Sequence, residues 1–411
     1  MIDIMKKTIV IGAGASGLFT AIKASEKGNE VLVLEKNEKC GKKIYITGKG
    51  RCNLSNNTDS NTFLENVVNN HKFLYGAINN FSPSDTISFF ENNGLKLKTE
   101  RGNRVFPESD KASDVTKTLE KICQKFGVKF LFNTEVEKIL TENNAVIGVL
   151  IKGGKKIKCD SVVVCTGGLS YPLTGSTGDG YMFAKSVGHT VIDTKPSLVG
   201  IELIGDYYKD FQGISLKNVR LSAFNNDKKI FSEQGEMLFT HFGVSGPLIL
   251  TLSALINRLD LKSLLLSIDF KPALSYETLE KRIIKEFSFN STKEIKNVMR
   301  SLLPKNLIDE VLKRSEIKKD TVCNAITVEK RDKLIKNLKN FTMKVKNLRP
   351  IDEAVITSGG VSVKEINPKT MESKIISGLF FAGEVLDVDA FTGGFNLQIA
   401  FSTGYTAGEN C

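Results

Sequence analysis

The feature that most constrains this chain is the hexapeptide Gly12-Ala13-Gly14-Ala15-Ser16-Gly17. It follows a short β-branched run, Lys7 to Ile11, and opens an apolar helical pattern through Ala24, which leads to a second apolar run, Val31 to Leu34. The order is strand, glycine turn, helix, strand. In such a unit Gly12 permits the tight turn, Gly14 lets the backbone approach a pyrophosphate, and Gly17 lets the helix pack on the strand. The helix N-terminus attracts phosphate charge. Glu35, 18 residues beyond Gly17 at the end of the second strand, can accept hydrogen bonds from ribose hydroxyls and would repel a 2′-phosphate. This placement argues against a mere glycine-rich turn beside a surface glutamate.

Two later segments have the same character. Ser161 to Cys165 runs into Gly167-Gly168, and Leu379 to Ala382 runs into Gly383, as buried parallel strands run into turns. Between Ile201 and Phe270 short strand-like runs such as Leu216 to Phe224 and Leu264 to Phe270 alternate with turn residues. From Tyr276 to Lys339 leucines and isoleucines recur at helical spacing with lysines on the opposite faces. The 411 residues suffice for two or three lobes. The expected division is a nucleotide-binding domain over residues 1–192 and 345–411, with an insertion at 193–344. Within the insertion 193–272 reads as antiparallel β and 273–344 as basic helices.

Composition, 41% hydrophobic and 25% charged, is that of a soluble globular protein. An uncharged stretch that might suggest a membrane span, Ala390 to Gly408, is broken by glycines and amides, and the run after Met5-Lys6-Lys7 is too short for a signal-peptide core. A cytoplasmic protein without membrane contact is expected. Seven cysteines and three histidines form no CxxC pair or metal-like cluster, so reduced thiols and no metal are expected. Of the net charge of +11, residues 271–350 carry +10, from 20 Lys and Arg against 10 Asp and Glu. Lysine-rich solvated helix faces explain this without a ligand; a nucleic-acid surface is the sharper reading. The sparse aromatics there, Tyr276, Phe287, Phe289 and Phe341, argue against stacking on single strands. No nucleic-acid partner is therefore expected.

An extended dinucleotide needs further close backbone approach and a cationic clamp, and the chain supplies Cys40-Gly41-Lys42-Lys43, Gly48-Lys49-Gly50-Arg51-Cys52-Asn53, Thr166-Gly167-Gly168 and Gly383-Glu384-Val385-Leu386-Asp387. With these motifs the chain resembles the HI0933-like flavoproteins, FAD-dependent oxidoreductases that include aminoacetone oxidases and bile-acid enone reductases. The resemblance rests on GAGASG at Gly12, CGKKIYITGKGRCNLSNN at Cys40, ERGNRVFPESDKASDV at Glu100 and GGLSYPLTGSTGDGY at Gly167. It continues through GEMLFTHFGVSGP at Gly235 and INPKTMESKIISGLFFAGEVLDVDAFTGGFNLQIAFSTG at Ile366. One departure is Lys49, where the family usually continues a run of three glycines. The resemblance implies an α/β fold: a FAD-binding, two-dinucleotide-type (Rossmann-like) domain interrupted by a β-barrel-like plus helical insertion. It also implies non-covalent FAD contacts from Gly12, Gly14, Ser16, Gly17, Glu35, Lys36, Lys43, Arg51, Cys52 and Asn53, from the backbone near Val136, and from Thr166, Gly167, Gly168, Gly383, Glu384, Gly394, Phe395, Asn396 and Leu397. Gly393-Gly394 opens the apolar run Phe395 to Ser402, so a helix N-terminus there could face the flavin N1 and O2 edge and favour its anionic reduced form.

Cys52 lies between Arg51 and Asn53, where a cation could stabilise a thiolate, although packing is the favoured role. No second cysteine within five residues offers dithiol chemistry. His241 in the insertion is the candidate acid or substrate donor, against an ordinary structural histidine, with Thr240 and Tyr171 as further donors. Tyr171 and Pro172 fit a turn equally well. His189, after Gly188 at a helix end, is given no chemistry. There is no second GxGxxG, so NAD(P)H would dock transiently. The expected function is exchange of a hydride between flavin N5 and a small organic substrate, as NAD(P)H-driven reduction of an activated double bond. The alternatives are an amine oxidase using oxygen, a flavin-containing RNA-binding or RNA-modifying protein, and a flavin-binding protein with vestigial activity.

Overall fold

Five short strands form a parallel sheet in the order Leu379–Phe381, Ser161–Val164, β1 (Lys7–Ile11), β2 (Glu30–Leu34) and Lys129–Leu131. At its centre Val10 pairs with Val163 on one side and Val33 on the other, and all three are fully buried. Burial on both faces explains why these segments read as continuous apolar runs. Because the strands are parallel, three of their C-terminal ends, before Gly12, Cys165 and Ala382, reach the same edge of the sheet, where ligands of open α/β sheets bind. The computed structural model describes residues 5–411.

Helix α1 (Ala15–Glu26) starts directly at the glycine turn. The C-terminal helix, Phe395–Asn410, packs along it through Gly404 and Gly408. A Cβ at Gly404 would lie 2.3 Å from the Ser16 carbonyl oxygen, and one at Gly408 2.6 Å from that of Thr20. Only glycine allows this approach. The helix runs well past Ser402, where the sequence pattern weakens.

The chain divides into two compact units: the described residues through Ser197 together with Pro350–Cys411, and Leu198–Arg349. The second is built on a closed barrel of Ile201–Leu203, Gly243–Ser245, Lys228–Thr240, Ser215–Asn225, Leu264–Asp269 and Phe341–Leu348, whose last strand pairs back with the first. Leu221, Ala223, Phe239, Leu266, Ile268 and Phe341 are fully buried in this unit. Helices Tyr276–Phe289, Lys305–Arg314 and Val328–Lys339 stand between the last two strands. The helices over 276–289 and 328–339 are capped by Ser275 and Thr327, whose side chains accept from Thr278 N and Lys330 N.

Two sequence expectations are corrected here. The stretch read as antiparallel β contains the helix Pro247–Ile256, whose uncharged, apolar composition resembles a buried strand until Pro247 is recognised as a first-turn residue. The part assigned to basic helices, 273–344, does not end in helix: the last helix closes at Lys339, where the helical spacing also ends, and residues 341–344 begin the strand that closes the barrel. Among the described residues no helix is long and apolar enough to cross a membrane.

Candidate functional site

An elongated cleft in the first unit follows the C-terminal edge of the parallel sheet. The glycine turn, the end of β2, residues 41–44, Val136, the Thr166-Gly167 turn and the start of the C-terminal helix line it. Gly12 has φ +100°, and a Cβ there would lie 2.6 Å from the Cys165 carbonyl oxygen. At Gly17 a Cβ would lie 1.9 Å from Gly12 O. At Gly14 it would meet nothing within 4 Å. Gly12 and Gly17 thus hold turn and helix together, while the side of Gly14 that carries no atoms borders the cleft.

Glu35 is buried at the end of β2 and already organises this turn. Its carboxylate accepts from Ala13 N (2.7 Å), Asn37 N (2.8 Å) and Asn37 Nδ2 (2.7 Å). Beside it Lys36 pairs with Asp179 at 2.6 Å. Further along, Lys43 Nζ meets Glu384 at 2.6 Å and Ser170 Oγ at 2.5 Å, and Glu384 also accepts from Ser170 Oγ (2.7 Å) and Thr357 N (2.9 Å). This holds a cation and a carboxylate on the cleft wall through four side-chain and backbone contacts.

Of the residues expected at the cofactor, Gly12, Gly14, Ser16, Glu35, Lys36, Lys43, Val136, Thr166, Gly167, Glu384, Asn396 and Leu397 line the cleft. Others are placed behind it. Gly17, Gly168 and Gly383 are packing glycines: a Cβ at Gly168 would lie 2.4 Å from Thr357 Oγ1, and one at Gly383 2.5 Å from Ser16 Oγ. Phe395 is buried against Phe63. With the Asn53 amide turned so that its oxygen faces Gly394 N, it accepts from that N–H at 3.1 Å and its nitrogen donates to Ser55 O at 3.1 Å, so Gly394 N is partnered within the protein. Arg51 binds Glu100 and Asp110 and lies over the Phe106 ring at 4.1 Å. Its charge is used within the protein.

Cys52 is fully buried, and burial pushes its thiol up to about 12. Arg51 therefore stabilises no thiolate there; the thiol is packing. Its φ of +59° and that of Lys49, also +59°, mark two left-handed positions in this loop, a conformation that glycine adopts at least cost. His241 is exposed in the turn between Lys228–Thr240 and Gly243–Ser245 of the second unit, its ring 5.1 Å from that of Phe242. His189 is buried, with Nδ1 3.1 Å from Glu365 and Nε2 2.7 Å from Ser373 Oγ.

The cleft suits FAD on several independent observations. The first N–H groups of two helices cannot be satisfied within them: the first backbone bond is Leu18 N to Gly14 O in α1 and Gln398 N to Gly394 O in the C-terminal helix. Both starts line the cleft. Thr166 Oγ1, also on the wall, is buried with no partner among the described residues. The donors match phosphate and flavin oxygens, Glu35 matches a ribose, and the open side of Gly14 leaves room for the pyrophosphate. Sequence reasoning missed Asn37, Ser170, Thr357 and Asp179, which lock the charged groups in place; Ser170 and Asp179 stand inside the segment quoted from Gly167 and Asn37 two residues after Glu35, but the partners of Ser170, Thr357 and Asp179 are set by tertiary contact.

The model of the HI0933-like protein Rossmann domain matches residues 6–410. A 3-dehydro-bile acid delta(4,6)-reductase of Clostridium scindens is 30% identical over 98% of both chains. A ribosomal RNA dihydrouridine synthase of Haemophilus influenzae is 31% identical over 97% of this chain and 96% of its own. The fold is shared with a 3-ketosteroid-delta4-(5alpha)-dehydrogenase of Rhodococcus jostii, with a TM-score of 0.54 and 16% identity, over 99% of this chain and 97% of that one. With its glycine turn, parallel sheet and cleft in place, the chain belongs to the HI0933-like family and so to the FAD-dependent oxidoreductases.

Proposed function

We propose that the protein reduces a carbon–carbon double bond conjugated to a carbonyl group in an organic substrate, with NAD(P)H as electron donor and non-covalently held FAD as cofactor. The observation that carries this reading is full-length similarity to a chain named as a delta(4,6)-reductase of a 3-dehydro-bile acid, a name that denotes this bond type. The balance is one NAD(P)H and one proton consumed per double bond saturated. FAD supplies the two-electron redox chemistry when bound. The chain's part is to bind and orient. The glycine turn and the α1 N-terminus hold the pyrophosphate. Glu35 holds the adenosine ribose. The free N–H groups at Asn396 and Leu397 favour negative charge at the far end of the cleft. Lys43, fixed by Glu384 and Ser170, adds a cation whose position the carboxylate determines.

A second reading places the same chemistry on a uracil ring in RNA, whose C5–C6 double bond is also conjugated to a carbonyl. The concentration of positive charge in residues 271–350 favours it, as does the full-length relative named as a ribosomal RNA dihydrouridine synthase. The test is anaerobic incubation of holoenzyme and NAD(P)H with a 3-oxo-Δ4 steroid, a saturated ketone, a primary amine or ribosomal RNA. Nicotinamide oxidation and a two-hydrogen mass gain are expected with the steroid but not the ketone. The same gain confined to RNA selects the second reading, and flavin reduction by the amine alone contradicts both.

A further inference from the structure

We propose that a cationic cavity in the second unit binds the phosphate backbone of RNA. Lys296, Arg300, Lys305, Lys313 and Lys319 line it, together with the half-buried ring of Tyr207. They come from four places in the sequence: the segment before the long barrel hairpin, the short helices around 295–301, the helix Lys305–Arg314 and the turn after it. The fold gathers them, so the sequence pattern did not reveal them as one site.

Lys296 pairs with Glu294 at 2.7 Å, but the side chains of Arg300, Lys305, Lys313 and Lys319 form no ion pair or hydrogen bond with any described residue. Asp210, Asp309 and Glu310 also line the cavity, and Glu310 is neutralised by Arg314 at 2.8 Å. The uncommitted cations thus outnumber the uncommitted carboxylates four to two. Arg314 lies 4.7 Å from the centre of the Tyr207 ring, fixing it beside the cations. Unpaired cations around a concavity with an aromatic ring suit phosphates with a neighbouring base. Carboxylates alone, as on polyglutamate, would match the cations but leave the ring without a stacking partner. None of the aromatics of the basic stretch lines this cavity; Tyr207, from outside the stretch, does.

This surface bears on the RNA reading above without depending on it: binding without uracil reduction would leave the surface standing and remove that reading. The experiment measures fluorescence anisotropy of a labelled single-stranded ribosomal RNA fragment with the holoenzyme at several salt concentrations. The variants are Arg300→Gln/Lys305→Gln/Lys313→Gln and, as a control of equal charge, Lys228→Gln/Lys229→Gln/Lys262→Gln on exposed positions elsewhere in the unit. The cavity variant should bind at least about tenfold more weakly and lower the slope of log K against log salt by about 2, as expected for three lost phosphate contacts on a single strand. The control should keep the wild-type slope. Acetylation of Lys305 and Lys313 in the unaltered protein, read by mass spectrometry, should be suppressed by RNA and not by polyglutamate, which keeps the test valid if the triple variant does not fold. Equal losses in both variants, no protection of these lysines, or equal protection by polyglutamate would overturn the proposal.

Discussion

A methyl group added at Gly14 would meet no atom within 4 Å, whereas one at Gly17 would lie 1.9 Å from the carbonyl oxygen of Gly12. Gly14→Ala should therefore leave the melting temperature of the FAD-free protein unchanged and weaken FAD binding by at least about tenfold, or ~1.4 kcal/mol. Gly17→Ala should instead destabilise the FAD-free protein by about 1–3 kcal/mol through overpacking. Titration of apoprotein with FAD and thermal melting separate the two. All seven cysteines are buried, and burial raises Cys52 and Cys165 to about 12. A thiol reagent at pH 8 should label none of them until the protein is unfolded, and rapid labelling of Cys52 in the native state would contradict its placement. Burial lowers the pKa of His189 below 6.5 despite the opposing pull of Glu365. The unfolded chain then binds the proton more readily than the folded one, so stability is fully present above pH 6.5 and falls as pH drops below it. His189→Gln should flatten the fall in melting temperature between about pH 7 and 5.

At the scale of elements, the site depends on how closely the C-terminal helix lies on α1. Gly404→Ala places a methyl 2.3 Å from Ser16 O. It should cost about 1–3 kcal/mol of stability and, by moving the helix start at Asn396 and Leu397, weaken FAD binding as well. Loss of stability with unchanged FAD affinity would show that the helix start takes no part in binding. The parallel strands and the glycine turn were legible because both obey local rules: fully buried β-branched runs, and glycines at a fixed offset before a helix. Gly404 and Gly408 carry no such local signal, since their role is visible only when α1 lies against them. Pro247–Ile256 was misread because an uncharged apolar decapeptide has no polar face from which to read a period. The motif also could not show that Arg51 is spent on Glu100 and Asp110, or that Asn53 occupies Gly394 N: adjacency to a glycine loop predicts proximity to the cleft, not the direction of a side chain.

At the scale of the whole molecule, the segment Leu198–Arg349 is continuous in sequence and contains a closed barrel with its own buried residues. Expressed alone it should fold, giving a single cooperative melt by circular dichroism; absence of a cooperative transition would show that it needs the rest of the chain. Its overall basic character was legible from composition, but the gathering of Lys296, Arg300, Lys305, Lys313 and Lys319 beside Tyr207 was not, because it is set by the packing of separate segments. We propose that the FAD cleft serves reduction of a double bond conjugated to a carbonyl. The most direct test is rapid mixing under argon: the holoenzyme is bleached with NADPH or NADH, then mixed with a conjugated enone, its saturated ketone or ribosomal RNA. Bleaching by a nicotinamide and return of the yellow colour with a conjugated substrate are expected, with formation of the saturated product and no response to the ketone. A protein that nicotinamides leave yellow and small amines bleach, recolouring only with oxygen, would contradict the proposal.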